Sequence, residues 1–67
     1  MEIKTKSDLI CMIAKRDHIT LLEARHMVNV TQQLINEVID DEGSLDVIEE
    51  ILLEDLGIEL DYIYLFI

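Results

Sequence analysis

The sequence predicts an all-α fold, a small three- to four-helix bundle built on a helical hairpin. Apolar residues recur at three- and four-residue spacing through most of the chain, Pro is absent, and only two Gly interrupt the pattern. A hydrophobic content of 51% is typical of a folded globule and unlike a disordered acidic tail. A chain of 67 residues forms one domain at most, so residues 1–67 are predicted to be a single helical domain.

The first helix is predicted over residues 6 to 16. Thr5 and Asp8 have the spacing of a capping box, in which the Thr5 hydroxyl accepts from the Asp8 amide. Lys15 and Arg16 lie at the negative end of this helix, where cations are favoured. The apolar stripe consists of Leu9, Ile10, Ile13 and Ala14, widened by Cys11 and Met12.

A second capping box, Thr20 with Glu23, predicts the start of the longest helix. Ile19, just before the cap, is placed to pack onto Ala24, and Gly43 is predicted to supply the left-handed residue that ends the helix. The apolar positions keep helical spacing over five turns and are Leu21, Ala24, Met27, Val28, Thr31, Leu34, Ile35, Val38 and Ile39.

A third helix is predicted between a Ser44 cap and a stop at Gly57. Its apolar and acidic residues separate onto different faces, as in an amphipathic helix. The apolar face carries Leu45, Ile48, Ile51, Leu52 and Leu56; the acidic face carries Glu49, Glu50, Glu54 and Asp55.

Residues 61 to 67 allow two interpretations. Their β-branched and aromatic side chains favour a strand, whereas Asp61 is suited to cap a short helix. We expect the helix, closing the core, because a strand needs a partner and the other strand-like segment is residues 1 to 5. The strand interpretation implies a two-stranded pair or an edge shared between subunits.

Charge is strongly segregated along the chain. All five Lys and Arg lie in the first 25 residues, while residues 26 to 67 carry eleven Asp or Glu and no Lys or Arg. Carboxylates without counter-ions repel one another. A surface with this much negative charge favours binding to a basic partner or increases solubility. Ordinary solvated helices mix signs to form i,i+4 pairs, and none is available here after Arg25.

We therefore expect the acids of the second half to form a docking surface for a basic, nucleic-acid-binding host protein. Their spacing of three to five residues along helices resembles the spacing of charge on a nucleic-acid backbone, which favours an inhibitor that mimics DNA. The simpler interpretation is a solvated helix surface. The predicted partner-binding residues are Asp40, Asp41, Glu42, Asp46, Glu49, Glu50, Glu54 and Asp55.

Three kinds of chemical site are not supported by the residue patterns. Around Gly43 the acids resemble a calcium loop, but Val38 occupies the first ligand position. Cys11, His18 and His26 lack the paired spacing of a zinc site, and no Gly-rich or oxyanion turn accompanies a Cys–His nucleophile. The sequence therefore predicts no enzyme, no metal and no cofactor.

Self-association is expected because a small core needs a further constraint and a single cysteine, Cys11, cannot form an internal disulfide. The aromatic and apolar tail favours packing in the core or in a dimer seam. Base stacking by its rings is disfavoured because single-strand binders use a basic groove. A homodimer is predicted, with interface residues Tyr62, Tyr64, Phe66 and Ile67.

Residues 5 to 42 resemble the N-terminal helical hairpin of the bacterial histone-like HU family, and the resemblance implies a dimerising hairpin. The basic β-ribbon arms that grip DNA in that family have no counterpart after Gly43, so direct nucleic-acid binding is not implied. The matching positions are Lys6, Ser7, Asp8, Leu9, Ile10, Ile13, Ala14, Lys15, Ile19, Thr20, Glu23, Ala24, Leu34 and Ile35. Residues 56 to 62 are similar to the tails of small uncharacterised phage and mobile-element proteins.

The sequence as a whole predicts a small acidic interaction module, encoded by a phage or mobile element, that inhibits a basic host protein. The rival interpretation is a structural or assembly protein whose apolar stripes and tail form the interface. No apolar run approaches the roughly 18 residues of a membrane span, and no basic segment precedes an apolar one. A cytoplasmic location is therefore expected, with no membrane partner.

Overall fold

The computed structural model describes residues 3–67, and these form helices joined by short turns. Helix α1 spans Lys6–Asp17, α2 spans Leu21–Asp40 and α3 spans Leu45–Ile51. Helix α3 runs directly into a π-helical turn, Leu52–Leu56, called the π segment below, and a 3₁₀ helix spans Leu60–Leu65. Within residues 3–67 there is no β-strand, so the all-α prediction is confirmed.

The tail is helical, as expected, although its helix is 3₁₀. Of the five residues that the strand interpretation would pair with it, Met1 and Glu2 lie outside the described part of the chain.

Both helices of the hairpin begin at the predicted caps. The Thr5 hydroxyl accepts from the Asp8 amide at 3.2 Å, and the Asp8 carboxylate accepts in return from the Thr5 amide, which completes the capping box. The Thr20 hydroxyl accepts from the Glu23 amide at 3.1 Å, which is the first half of the second box. These bonds satisfy backbone donors that a helix start leaves without partners.

The end of α2 differs from the prediction. Glu42, with φ of 56°, takes the left-handed conformation that the sequence assigned to Gly43. The Gly43 amide donates to the Val38 carbonyl at 2.7 Å and the Glu42 amide to the Ile39 carbonyl, which is the bond pattern of a Schellman motif. Gly43 is needed for space, since a Cβ there would lie 2.5 Å from Val38 Cγ1.

The third helical stretch begins and ends at the predicted residues, with one difference at each end. Ser44 has the extended backbone of a cap, but its side chain makes no capping bond. The stretch ends at Gly57, whose φ of 63° is the left-handed stop that was predicted. The Gly57 amide donates to the carbonyls of both Leu52 and Leu53. The bond to Leu52 spans five residues, as in a π turn.

The buried core draws on α1, α2, α3 and the π segment, and on Ile58 and Phe66, which flank the 3₁₀ helix. Helix α2 is about 30 Å long at 1.5 Å per residue and accounts for most of the longest dimension, 33 Å. The other elements pack along it. The buried residues are Leu9, Ile13, Ala14, Ala24, Val28, Thr31, Ile35, Ile48, Leu52, Leu56, Ile58 and Phe66.

Two basic side chains of α1 connect the hairpin to the C-terminal elements. The Arg16 guanidinium donates to the carbonyls of Leu56 at 2.6 Å and Gly57 at 3.3 Å, and so caps the π segment. Lys6 donates to the Gln32 side chain and lies 5.6 Å from the centroid of the Phe66 ring. Both contacts fix the C-terminal elements against α1 and α2.

Candidate functional site

The acidic flank is the set of eight carboxylates predicted to bind a partner. They lie at the end of α2, in the following turn, along α3 and on the π segment, and every one of them is exposed. The set is Asp40, Asp41, Glu42, Asp46, Glu49, Glu50, Glu54 and Asp55.

Among residues 3–67, no basic side chain forms an ion pair or hydrogen bond with any member of the acidic flank. The bases that contact the second half do so through other groups: Arg16 binds backbone carbonyls, and Lys6 binds an amide and a ring. Arg16 also pairs with its neighbour Asp17 at 2.9 Å. Within residues 3–67, the charge of the flank is therefore not neutralised by ion pairing.

Three acids of the flank lie where a helix disfavours negative charge. Asp40 is the last residue of α2, Asp41 follows it, and Glu42 takes the left-handed position. The C-terminal end of a helix carries partial negative charge, and the last turn of α2 contains no basic residue. Local stability does not explain acids at these positions.

A groove runs between α2 and the π segment, next to one part of the acidic flank. Its volume is about 410 Å³. The lining residues are His26, Met27, Val30 and Thr31 from α2 with Glu54 and Asp55 from the π segment. Thr31 is fully buried, and its hydroxyl has no hydrogen-bond partner. Thr31 lies in the core, as its position on the apolar face of α2 predicts, but no residue pattern indicates this groove.

A second concave region lies on the hairpin, on the side of α2 that carries Leu22. Two shallow grooves of about 640 and 350 Å³ share Leu22 and Arg25. Leu21, predicted to face the core, is 59% exposed, and Leu22 is 66% exposed. Two adjacent leucines at the start of a helix cannot both face one core, and that adjacency was the available signal.

The four predicted interface residues of the tail differ in how far they are exposed. Phe66 is buried in the core of its own chain, where its carbonyl accepts from Gln32 Nε2 at 2.8 Å. Tyr62 is half-buried. Tyr64 is 52% exposed and its hydroxyl donates to the Ile3 carbonyl, and Ile67 is 73% exposed. An interface formed by the tail would therefore rest on Tyr64 and Ile67, without Phe66.

Two carboxyl groups of the hairpin have lowered pKa values, and neither belongs to the acidic flank. The backbone amide of Lys4 donates to Asp8 and lowers the pKa of that carboxyl, with a further contribution from Thr5. The hydrogen bond from Arg16 lowers the pKa of Asp17, and the same bond raises the pKa of the guanidinium. Both acids act in helix capping and pairing.

In the described part of the chain, no three His, Cys, Asp or Glu side chains come together in an arrangement that could hold a metal ion. No helix there is long and apolar enough to cross a membrane. Compared with protein-family models, curated proteins and solved structures, the chain matches none.

Proposed function

We propose that the protein is a small acidic interaction module whose acidic flank docks on a basic surface of a nucleic-acid-binding protein. By occupying that surface it excludes nucleic acid and acts as an inhibitor. A phage or mobile-element origin suits this role, as does the absence of Lys and Arg after residue 25. The protein acts by binding and not by catalysis.

The observation that carries the proposal is the combination of exposure and missing counter-ions. All eight carboxylates of the flank are exposed, on helical segments or in the turn after α2, and no described basic residue pairs with them. Negative charge on a protein surface steers a basic partner toward it and accelerates association, most strongly at low salt. The exposed Leu53, between these acids, offers an apolar contact that adds specificity.

Capture from a nuclease-treated host lysate on immobilised protein tests the proposal. We expect basic proteins to be retained at low salt and released as salt rises, because exposed charges are screened. Added DNA should displace the same proteins. The variant Glu49→Lys/Glu50→Lys should not retain these basic proteins.

The matched control is Glu59→Lys/Asp61→Lys, which changes the net charge equally but lies outside the flank. Both of its positions are exposed, as are Glu49 and Glu50. We expect this control to retain the captured proteins. Capture of no basic protein, or equal loss in both variants, contradicts the proposal.

A second candidate function, assembly of several copies, is favoured by the exposed apolar side chains. Leu21, Leu22 and Ile67 are each more than half exposed. If the protein is an assembly module with a homodimeric unit, Leu22→Ser or Ile67→Ser should reduce its mass in light scattering, whereas Glu49→Lys/Glu50→Lys should not. Phe66→Ala is unsuitable for this test because Phe66 belongs to the core.

A further inference from the structure

The groove between α2 and the π segment combines three features on one small surface. Glu54 and Asp55 supply two adjacent carboxylates, Met27 and Val30 supply apolar side chains, and the buried Thr31 is a further lining residue. Its volume of about 410 Å³ falls in the range of pockets that hold a small ligand or a long side chain.

Thr31 points to a ligand independently of the acids. Its side chain is fully buried, yet its hydroxyl makes no hydrogen bond within the described chain. A buried polar group without a partner is destabilising, and most proteins avoid it. Valine has nearly the same shape and would fill this core position without that cost. The hydroxyl is explained if a ligand donor reaches it.

The π segment carries both carboxylates that line the groove. Isolated π turns occur frequently at functional sites, and this one places Glu54 and Asp55 beside Met27 and Val30.

We propose that this groove binds an arginine side chain of the basic partner, an inference that rests on the proposed function and locates its anchor. A guanidinium has five donors in a planar fork and no acceptor, which suits two carboxylates and a hydroxyl. Its aliphatic stem packs on apolar side chains while its head remains polar, as Met27 and Val30 allow. Lysine offers a point charge and fits the paired carboxylates less well.

Titration of the full chain with the peptide acetyl-Gly-Arg-Gly-amide, followed by backbone amide NMR, tests this site. We expect shift changes concentrated at residues 26 to 31 and 54 to 55. The same peptide with citrulline in place of arginine keeps the shape and loses the charge, and it should bind at least about tenfold more weakly. The lysine peptide should bind with intermediate affinity.

Two double variants that remove the same number of charges distinguish binding in the groove from general electrostatic attraction to the acidic flank. Glu54→Gln/Asp55→Asn should weaken arginine-peptide binding about tenfold, whereas Glu49→Gln/Glu50→Gln should change it by less than about twofold. Thr31→Val should weaken it about fivefold while the protein stays folded. Equal weakening by the two double variants, or shifts spread over all the acids, overturns the groove proposal.

The experiments distinguish a wrong groove proposal from a wrong proposed function. If basic proteins are captured from lysate equally well by Glu54→Gln/Asp55→Asn and by Glu49→Gln/Glu50→Gln, the flank binds them without this anchor and the groove proposal is wrong. If the groove binds the arginine peptide as described but no basic protein is captured, the groove stands and the proposed function does not.

Discussion

The two halves of this chain differ in charge and in their helix ends. In the first 25 residues, five Lys and Arg against four Asp and Glu leave a net charge of +1, and Asp8, Lys15 and Arg16 lie where the ends of α1 favour their charge. Residues 26 to 67 carry the eleven remaining acids and no Lys or Arg. There, three acids lie at the end of α2, Ser44 makes no side-chain cap, and α3 widens into a π turn.

The contrast shows how the molecule keeps its acids available. Arg16 and Lys6 do reach the second half, but they bind backbone carbonyls, an amide and the Phe66 ring. Regions that break local rules within a well-formed fold are where function is expected. Both halves contribute buried residues to one core, and the exceptions at the helix ends of the second half are consistent with the proposed docking role.

The largest effect is expected from the core of the second half. Leu52 is fully buried, so Leu52→Ala should lower the free energy of unfolding by about 3 kcal/mol. A chain this small has a total stability of only about 3–10 kcal/mol, so the variant should be largely unfolded at moderate temperature. Circular dichroism during heating measures the loss.

The control for this prediction is the adjacent Leu53→Ala, because Leu53 is 51% exposed. It should cost less than about 0.5 kcal/mol. If Leu52→Ala melts only the second half while the hairpin unfolds separately, the single-domain prediction is wrong and the two halves fold independently.

The sequence was sufficient to locate the helices of the hairpin. Thr5 and Thr20 were recognised as caps from their spacing to an acid, and the structure has both bonds. Helix α1 ends at Asp17, one residue beyond the predicted end. These features depend on neighbours within four residues, which a sequence shows directly.

Features that depend on distant neighbours were not predicted. Leu21 and Ile39 fit the apolar stripe of α2 but are exposed. Helix α1 is about 18 Å long against about 30 Å for α2, so the stripe extends past α1 at the end of α2 that carries Ile39. Likewise, the role of Gly43 depends on the position of Val38 and not on a left-handed backbone.

The candidate site was predicted only in part. The identity of the eight exposed acids followed from charge patterning, because Asp and Glu without partners remain in water. The groove at Thr31 was not predicted, since it requires the π segment to lie against α2 and no residue pattern between Leu52 and Leu56 signalled a π turn.

An intermediate effect is expected where the two halves are joined by Arg16. Arg16→Ala removes its bonds to the Leu56 and Gly57 carbonyls and should cost about 1 kcal/mol, since the side chain is partly exposed. Lys15→Ala, the adjacent base, is the control and should cost less than about 0.5 kcal/mol. Chemical denaturation of both variants measures the difference.

The pH dependence sharpens the same prediction. Because the folded state lowers the pKa of Asp17 below its ordinary value of 3.8, this group stabilises the fold above that pH. The contribution disappears as the pH falls from about 3.8 through the lowered pKa. Arg16→Ala should therefore be less sensitive to acid in this window than the unaltered protein. Equal acid sensitivity in the two proteins contradicts the role given to the pair.

The smallest change in stability is expected when a single acid is neutralised, and the prediction compares one acid from each half. Glu50 lies four residues from both Asp46 and Glu54, and like charges at that spacing repel, so Glu50→Gln should raise stability by a few tenths of a kcal/mol at low salt. The gain should shrink as salt screens the repulsion. Asp8→Asn should instead lower stability, because the Asp8 carboxylate accepts from two backbone amides. Should Glu50→Gln also destabilise the protein, the flank would have a role in folding and its exposure would no longer indicate a partner.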